Sequence, residues 1–117
     1  MKKDNIVKNK SFRFSVRIVK LYQFLTEEKR EFIMSKQLLR SGTSIGANIR
    51  ESEQAESKAD FIHKLSIALK EANETEYWLD LLNETNYLKK NKYLSIQSDI
   101  KELLKLLISI VKAAKQN

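Results

Sequence analysis

Proline is absent from this chain, and its two glycines, Gly42 and Gly46, lie four residues apart in one stretch, Arg40-Ser-Gly-Thr-Ser-Ile-Gly-Ala-Asn-Ile-Arg-Glu51. An all-β or α/β domain of 117 residues needs more turn residues than that, so the chain is expected to be all-α. The apolar positions through the stretch, Leu38, Ile45 and Ile49, are spaced seven and then four, which keeps them on one helical face. At about 100° per residue Gly42 falls inside that face, with Gly46, Ser35 and Ser41 at its edges. A glycine inside a helix costs roughly 1 kcal/mol, a cost expected where a neighbouring backbone must come close. The glycines also fit a kink. A phosphate-binding loop is disfavoured, because no Lys-Ser/Thr follows and no strand precedes.

The length fits one domain, residues 1–117, large enough to bury a real core. Without cysteine there is no disulfide, thiolate metal site or cysteine nucleophile. The start, Met-Lys-Lys-Asp-Asn-Ile-Val-Lys, has no apolar signal-peptide core, and no uncharged apolar run approaches a membrane span. A cytoplasmic location and no membrane partner are expected. The net charge of +7 is uneven: residues 1–20 and 86–117 carry +6 and +5, and residues 21–85 carry −4. Polyanions are natural partners of such a chain, and a lysine-rich soluble surface explains the charge as readily.

Apolar periodicity predicts four helices, over about 10–28, 31–55, 58–86 and 94–115, after a loose basic lead-in over residues 1–9. Short connections make sequential helices antiparallel, an up-down-up-down four-helix bundle. The apolar residues of helix 1 cover roughly 220°, more than one core-facing side requires. Lys10, Arg13, Arg17 and Lys20 share the remaining arc. They read either as the solvated face of an amphipathic helix, which is the plainer account, or as a phosphate-tracking stripe, kept open by the lack of any acid among them. Ser57 with Asp60 three residues on is a helix start. In helix 3, Glu76 projects into the core arc and is expected to find a partner in Asn48, Ser44 or a lysine. Ile67, Tyr77, Trp78 and Leu81 point away from that arc, and mark an oligomer interface or a groove for a partner's helix. Lys101, Lys105 and Lys112 form the polar strip of helix 4. Glu51, Glu53 and Glu56 fit a solvated turn better than an acid–base pair or a cation site. One histidine, His63, without cysteine cannot make a zinc site with the usual ligands, so neither a catalytic set, a metal site nor a cofactor is expected.

Ser11-Phe12 with Arg17-Ile18-Val19, then Gln37 through Glu51, then Asp60-Phe-Ile-His-Lys-Leu-Ser-Ile-Ala-Leu-Lys-Glu-Ala-Asn-Glu-Thr-Glu-Tyr-Trp-Leu79, closely resemble the bacterial 23S rRNA-intervening-sequence proteins. The resemblance covers nearly the whole chain. It implies a four-helix bundle and a homopentameric ring with a central opening. A related group serves as accessory factor to the reverse transcriptase of diversity-generating retroelements, where nucleic-acid binding is ascribed to a basic barrel. It supplies no catalytic motif. The first expectation is thus a non-catalytic oligomeric scaffold binding RNA or DNA through Lys10, Arg13, Arg17 and Lys20. The second is a protein-interaction scaffold docking a partner, such as a reverse transcriptase, on the Trp78 patch. An enzyme comes last.

Overall fold

The structure, a computed structural model, describes residues 2–116, with side chains from Asn5 onward. Four helices follow in order: α1 (Lys2–Glu27), α2 (Met34–Ser52), α3 (Lys58–Glu84) and α4 (Lys90–Gln116). Each packs beside the next and α4 closes against α1, with no contact across either diagonal among the described residues. This is the all-α up-down-up-down bundle that the periodicity predicts. Among the described residues no helix is long and apolar enough to cross a membrane.

The expected loose lead-in is helical from Lys2. Val7, 1% exposed, extends the core stripe of Ser11, Phe14, Ile18 and Leu25 one turn and more toward the N-terminus, so helix formation there is supported by burial. α2 starts at Met34 instead of near Glu31 because Glu31 caps it. Its carboxylate accepts hydrogen bonds from the backbone N–H groups of Ile33 and Met34, both at 3.1 Å, and of Ser35 at 2.7 Å. Those are orphan donors of a helix start, satisfied by a charged acceptor. At α3, Ser57 accepts from the Asp60 N–H at 3.0 Å and Asp60 accepts from the Glu56 N–H at 3.2 Å, which closes the cap from both sides.

With both glycines used inside α2, two turns adopt left-handed backbone on other residues. Arg30 (φ 55°) ends α1, where the Glu31 N–H donates to the Leu25 carbonyl at 2.9 Å. Asn86 (φ 68°) ends α3, where the N–H groups of Tyr87 and Leu88 both donate to the Leu82 carbonyl. Bonds reaching back five and six residues satisfy the last carbonyls of each helix.

At Gly42 α1 packs tightly against α2. A Cβ built there lies 2.8 Å from both Cγ1 and Cγ2 of Ile18, which is fully buried. Gly46 is looser: a Cβ there meets Ser15 Oγ at 3.3 Å and the Ser11 carbonyl at 3.4 Å. Deeper between α2 and α3, the buried hydroxyls of Ser41 and Thr75 meet at 3.0 Å. Glu76, expected to reach Asn48, Ser44 or a lysine, lies half-buried on the α4 side near Tyr93, and Asn48 donates to the Ser44 carbonyl of its own helix at 2.9 Å.

Across α3 and α4 the Tyr93 hydroxyl donates to Asp80 at 2.5 Å and accepts from Gln97 at 2.6 Å. The bond to Asp80, then burial, then the charge of Asp80 push the phenol pKa up to about 12. A raised acid pKa means the protonated phenol is favoured by folding. Its contribution is whole below the ordinary tyrosine pKa near 10 and fades as pH climbs toward 12.

Two predictions follow from this packing. Gly42→Ala should lower stability by about 1–3 kcal/mol, because both γ-carbons of a β-branched side chain must shift. Gly46→Ala should stay within about 1 kcal/mol of the parent, helix propensity offsetting the tighter contact. Urea unfolding of both variants checks this, and equal midpoints would place α1 farther from Gly42 than described. Separately, melting temperature followed from pH 9 to 12 should fall more steeply in the parent than in Tyr93→Phe, and parallel curves would deny the Tyr93–Asp80 bond a part in stability.

Candidate functional site

The bundle sets the two basic ends of the sequence side by side. α1 carries seven Lys/Arg against two acids and α4 six against two, whereas residues 34–84, α2 through α3 with the turn between them, carry six against nine. Since α4 packs on α1 and α2 on α3, one side of the molecule is basic and the other is acidic. A charge separation of this kind creates a directed field over the α1/α4 face.

The four cations of α1 divide into two kinds on that face. Lys10 and Arg17 turn into the α1/α4 groove, where α4 supplies the acids that this face of α1 lacks. Arg17 reaches Asp99 at 2.6 Å and donates to Ser95 Oγ at 3.1 Å, and Lys10 reaches Glu102 at 3.0 Å. Ser95, Asp99 and Glu102 are spaced four and three, so they form one ridge of α4, running antiparallel to Lys10 and Arg17. That spacing was the available signal for these partners, hidden because it lies in the other helix. Arg13 and Lys20 are exposed and make no ion pair with any described residue. The same holds for Lys101, Lys105 and Lys112 on the outer side of α4.

Aromatic and apolar groups border this face. Phe12, Val16 and Val19, at helical spacing on the outside of α1, are 57%, 40% and 39% exposed. They account for the excess apolar arc of helix 1. Leu21 and Phe24 lie at the opposite edge, over the start of α4, and Lys92 Nζ stands 4.4 Å from the Phe24 ring centroid. Neither Phe24 nor Lys92 was singled out from the sequence.

The residues read as an interface on α3 are only partly outward. Ile67, Trp78 and Leu81 are half-buried, and Trp78 packs against the core. Its indole N–H donates to Glu74 at 3.0 Å, and Glu74 also pairs with Arg40, which holds Glu71 at 3.1 Å. Tyr77 is 57% exposed and meets Trp78 edge-on at 5.0 Å. Glu51 and Glu53 pair with Lys64 and Lys8, at 2.9 and 3.1 Å. His63 is exposed, and no group of three or more metal-ligating side chains lies together among the described residues.

The family model described as 23S rRNA-intervening sequence protein matches residues 3–109. The chain belongs to that family. It is similar to a solved structure, a protein of unknown function from the S23 ribosomal protein family of Bacteroides thetaiotaomicron. The two are 68% identical, over 94% of this chain and 98% of that one, with a TM-score of 0.93. No curated protein matches. The family match covers α2 and α3 whole, nearly all of α1 and α4 as far as residue 109, so the α1/α4 groove pairs and the small-residue α1/α2 contact lie within it.

The groove pairs are solvent-accessible, and such pairs contribute little to stability. The double change Asp99→Asn with Glu102→Gln should therefore shift unfolding free energy by no more than about 1 kcal/mol. Chemical denaturation measures it, and a loss well beyond that would make the pairs the fastening of α4 to α1.

Proposed function

We propose that this protein is a non-catalytic oligomeric scaffold that binds nucleic acid, RNA or DNA, through phosphate contacts on its α1/α4 face. The observation that carries the reading is the pairing of the two basic helices, with Arg13 and Lys20 unneutralised along their shared side. Lys10 and Arg17 then play a second part. Their carboxylate partners Asp99 and Glu102 hold them extended in the groove, where a phosphate competes with the carboxylate for the same guanidinium and ammonium. No helix-turn-helix, zinc or RNP-type motif is present, so the backbone is the ligand and sequence readout is weak. The reading includes a cytoplasmic location, where a bacterial cell keeps its nucleic acids.

Assembly belongs to the same proposal. The family resemblance implies a homopentamer, and the exposed Phe12–Val16–Val19 ridge supports self-association, since contiguous apolar surface of this kind marks interaction sites. Repetition of a weak phosphate site around a ring raises overall affinity by avidity. A second reading is a protein-docking scaffold, favoured by exposed Tyr77 on the acidic side; a reverse transcriptase is the partner the resemblance implies.

The test uses labelled RNA and DNA, single- and double-stranded, titrated against salt on protein of measured solution mass. Log affinity should fall linearly with log salt. Arg13→Gln with Lys20→Gln should weaken binding to every strand type and flatten the slope by roughly 0.7 per lost single-strand contact. Asp99→Asn with Glu102→Gln should strengthen it. Absence of binding at low salt by all four ligands overturns the reading and moves the protein-docking alternative, tested by Tyr77→Ala, to the front.

A further inference from the structure

At the end of the α1/α4 face, where the C-terminal half of α1 passes over the start of α4, lies a cleft of about 270 Å³. Its floor is apolar: Leu21 and Phe24 from α1, and Leu88 ahead of α4, which is 2% exposed. Its rim is cationic: Arg17, Lys20 and Lys92, with no acid among the lining residues. Arg17 is held by Asp99, whereas Lys20 and Lys92 have no carboxylate partner among the described residues. Lys92 instead places its ammonium over the Phe24 ring, 4.4 Å from the centroid. Cation–π contact fills the place of a counter-ion there and keeps the ring face turned toward the cleft.

An aromatic ring that shares one cleft with two unneutralised ammonium groups suits a planar ring that carries negative charge on its flanks. We propose that this cleft takes one unpaired nucleobase of a phosphodiester strand, stacked on Phe24, with the adjoining phosphates on Lys20 and Lys92. On entry of the base the Lys92 ammonium moves from the ring face to the neighbouring phosphate, exchanging a cation–π contact for an ion pair. A duplex cannot make this contact without extruding a base, which costs a few kcal/mol. The cleft therefore adds a base-dependent term to a face whose other contacts see only phosphate. It rests on the phosphate-binding reading, of which it names the ligand form.

The test compares a single-stranded oligonucleotide with an abasic strand of equal length, a duplex and polyglutamate, at one low salt concentration, on the full chain. The base-bearing strand should bind about 5-fold or more tighter than the abasic one, the scale of stacking one base on an aromatic side chain. Phe24→Leu keeps an apolar floor and removes the ring; it should bring that ratio near one and leave duplex binding unchanged. Should Phe24→Leu not fold, the ring protons of Phe24 in the parent decide by NMR: they should shift on adding the base-bearing strand and stay on adding the abasic one. Equal binding of the two strands, or a ratio unchanged in Phe24→Leu, overturns this inference and leaves phosphate binding intact. Polyglutamate binding as tightly as the strand overturns it in favour of an acidic protein. Failure of every strand to bind overturns the phosphate reading itself, and this inference with it.

Discussion

The contact of Ile18 with Gly42 governs how the molecule is put together. A β-branched side chain seated against a residue without a Cβ draws α1 close to α2 and, because both γ-carbons are engaged, allows α1 little freedom to rotate about its own axis. Rotation of α1 decides everything on its surface. With Ile18 inward, Lys10 and Arg17 face α4, Arg13 and Lys20 stand at the outer edge, and Phe12, Val16 and Val19 face solvent. Turning the helix by one residue position, about 100°, would bury the outer ridge and expose the core stripe.

Chain topology does for charge what that contact does for geometry. Separated in sequence by the acidic middle, the basic first and last helices become neighbours because four antiparallel helices joined by short turns close on themselves. Asp99 and Glu102 then neutralise the inner cations of α1 at a separation in sequence of more than eighty residues, and the outer cations keep their charge. The face is thus graded, from paired charge in the groove to free charge at its borders and an aromatic cleft at one end. Surface charge pairs of this kind have little effect on folding and a large one on what a polyanion meets.

Turn chemistry shows how local rules yield to context. Glycine is the usual residue for left-handed backbone at a helix end, yet Arg30 and Asn86 occupy those positions and the glycines sit mid-helix. Asparagine tolerates that conformation; arginine accepts it at a cost. Glu31 then caps α2 through three backbone N–H groups, so one short loop ends a helix and starts the next without glycine or proline. The start of α2 was legible only to within a few residues for this reason: an acid in a polar run gives no sign, in sequence, of whether it continues a helix or caps one.

The sequence by itself determined the class of fold, the order of the four helices, the place of Gly42 in a core face and the Ser57 cap. Each of these follows from periodicity or from contacts a few residues apart, which a linear pattern records. It also held the charge asymmetry and the Arg13–Lys20 stripe. Tertiary structure alone decided that Val7 extends the core, that Trp78 lies half inside, that Glu76 faces α4, and that Asp99 and Glu102 divide the stripe into paired and free cations. Each of those depends on how far a helix is turned and on which neighbour it meets. These are properties of packed side chains from distant parts of the chain, and no local pattern encodes them.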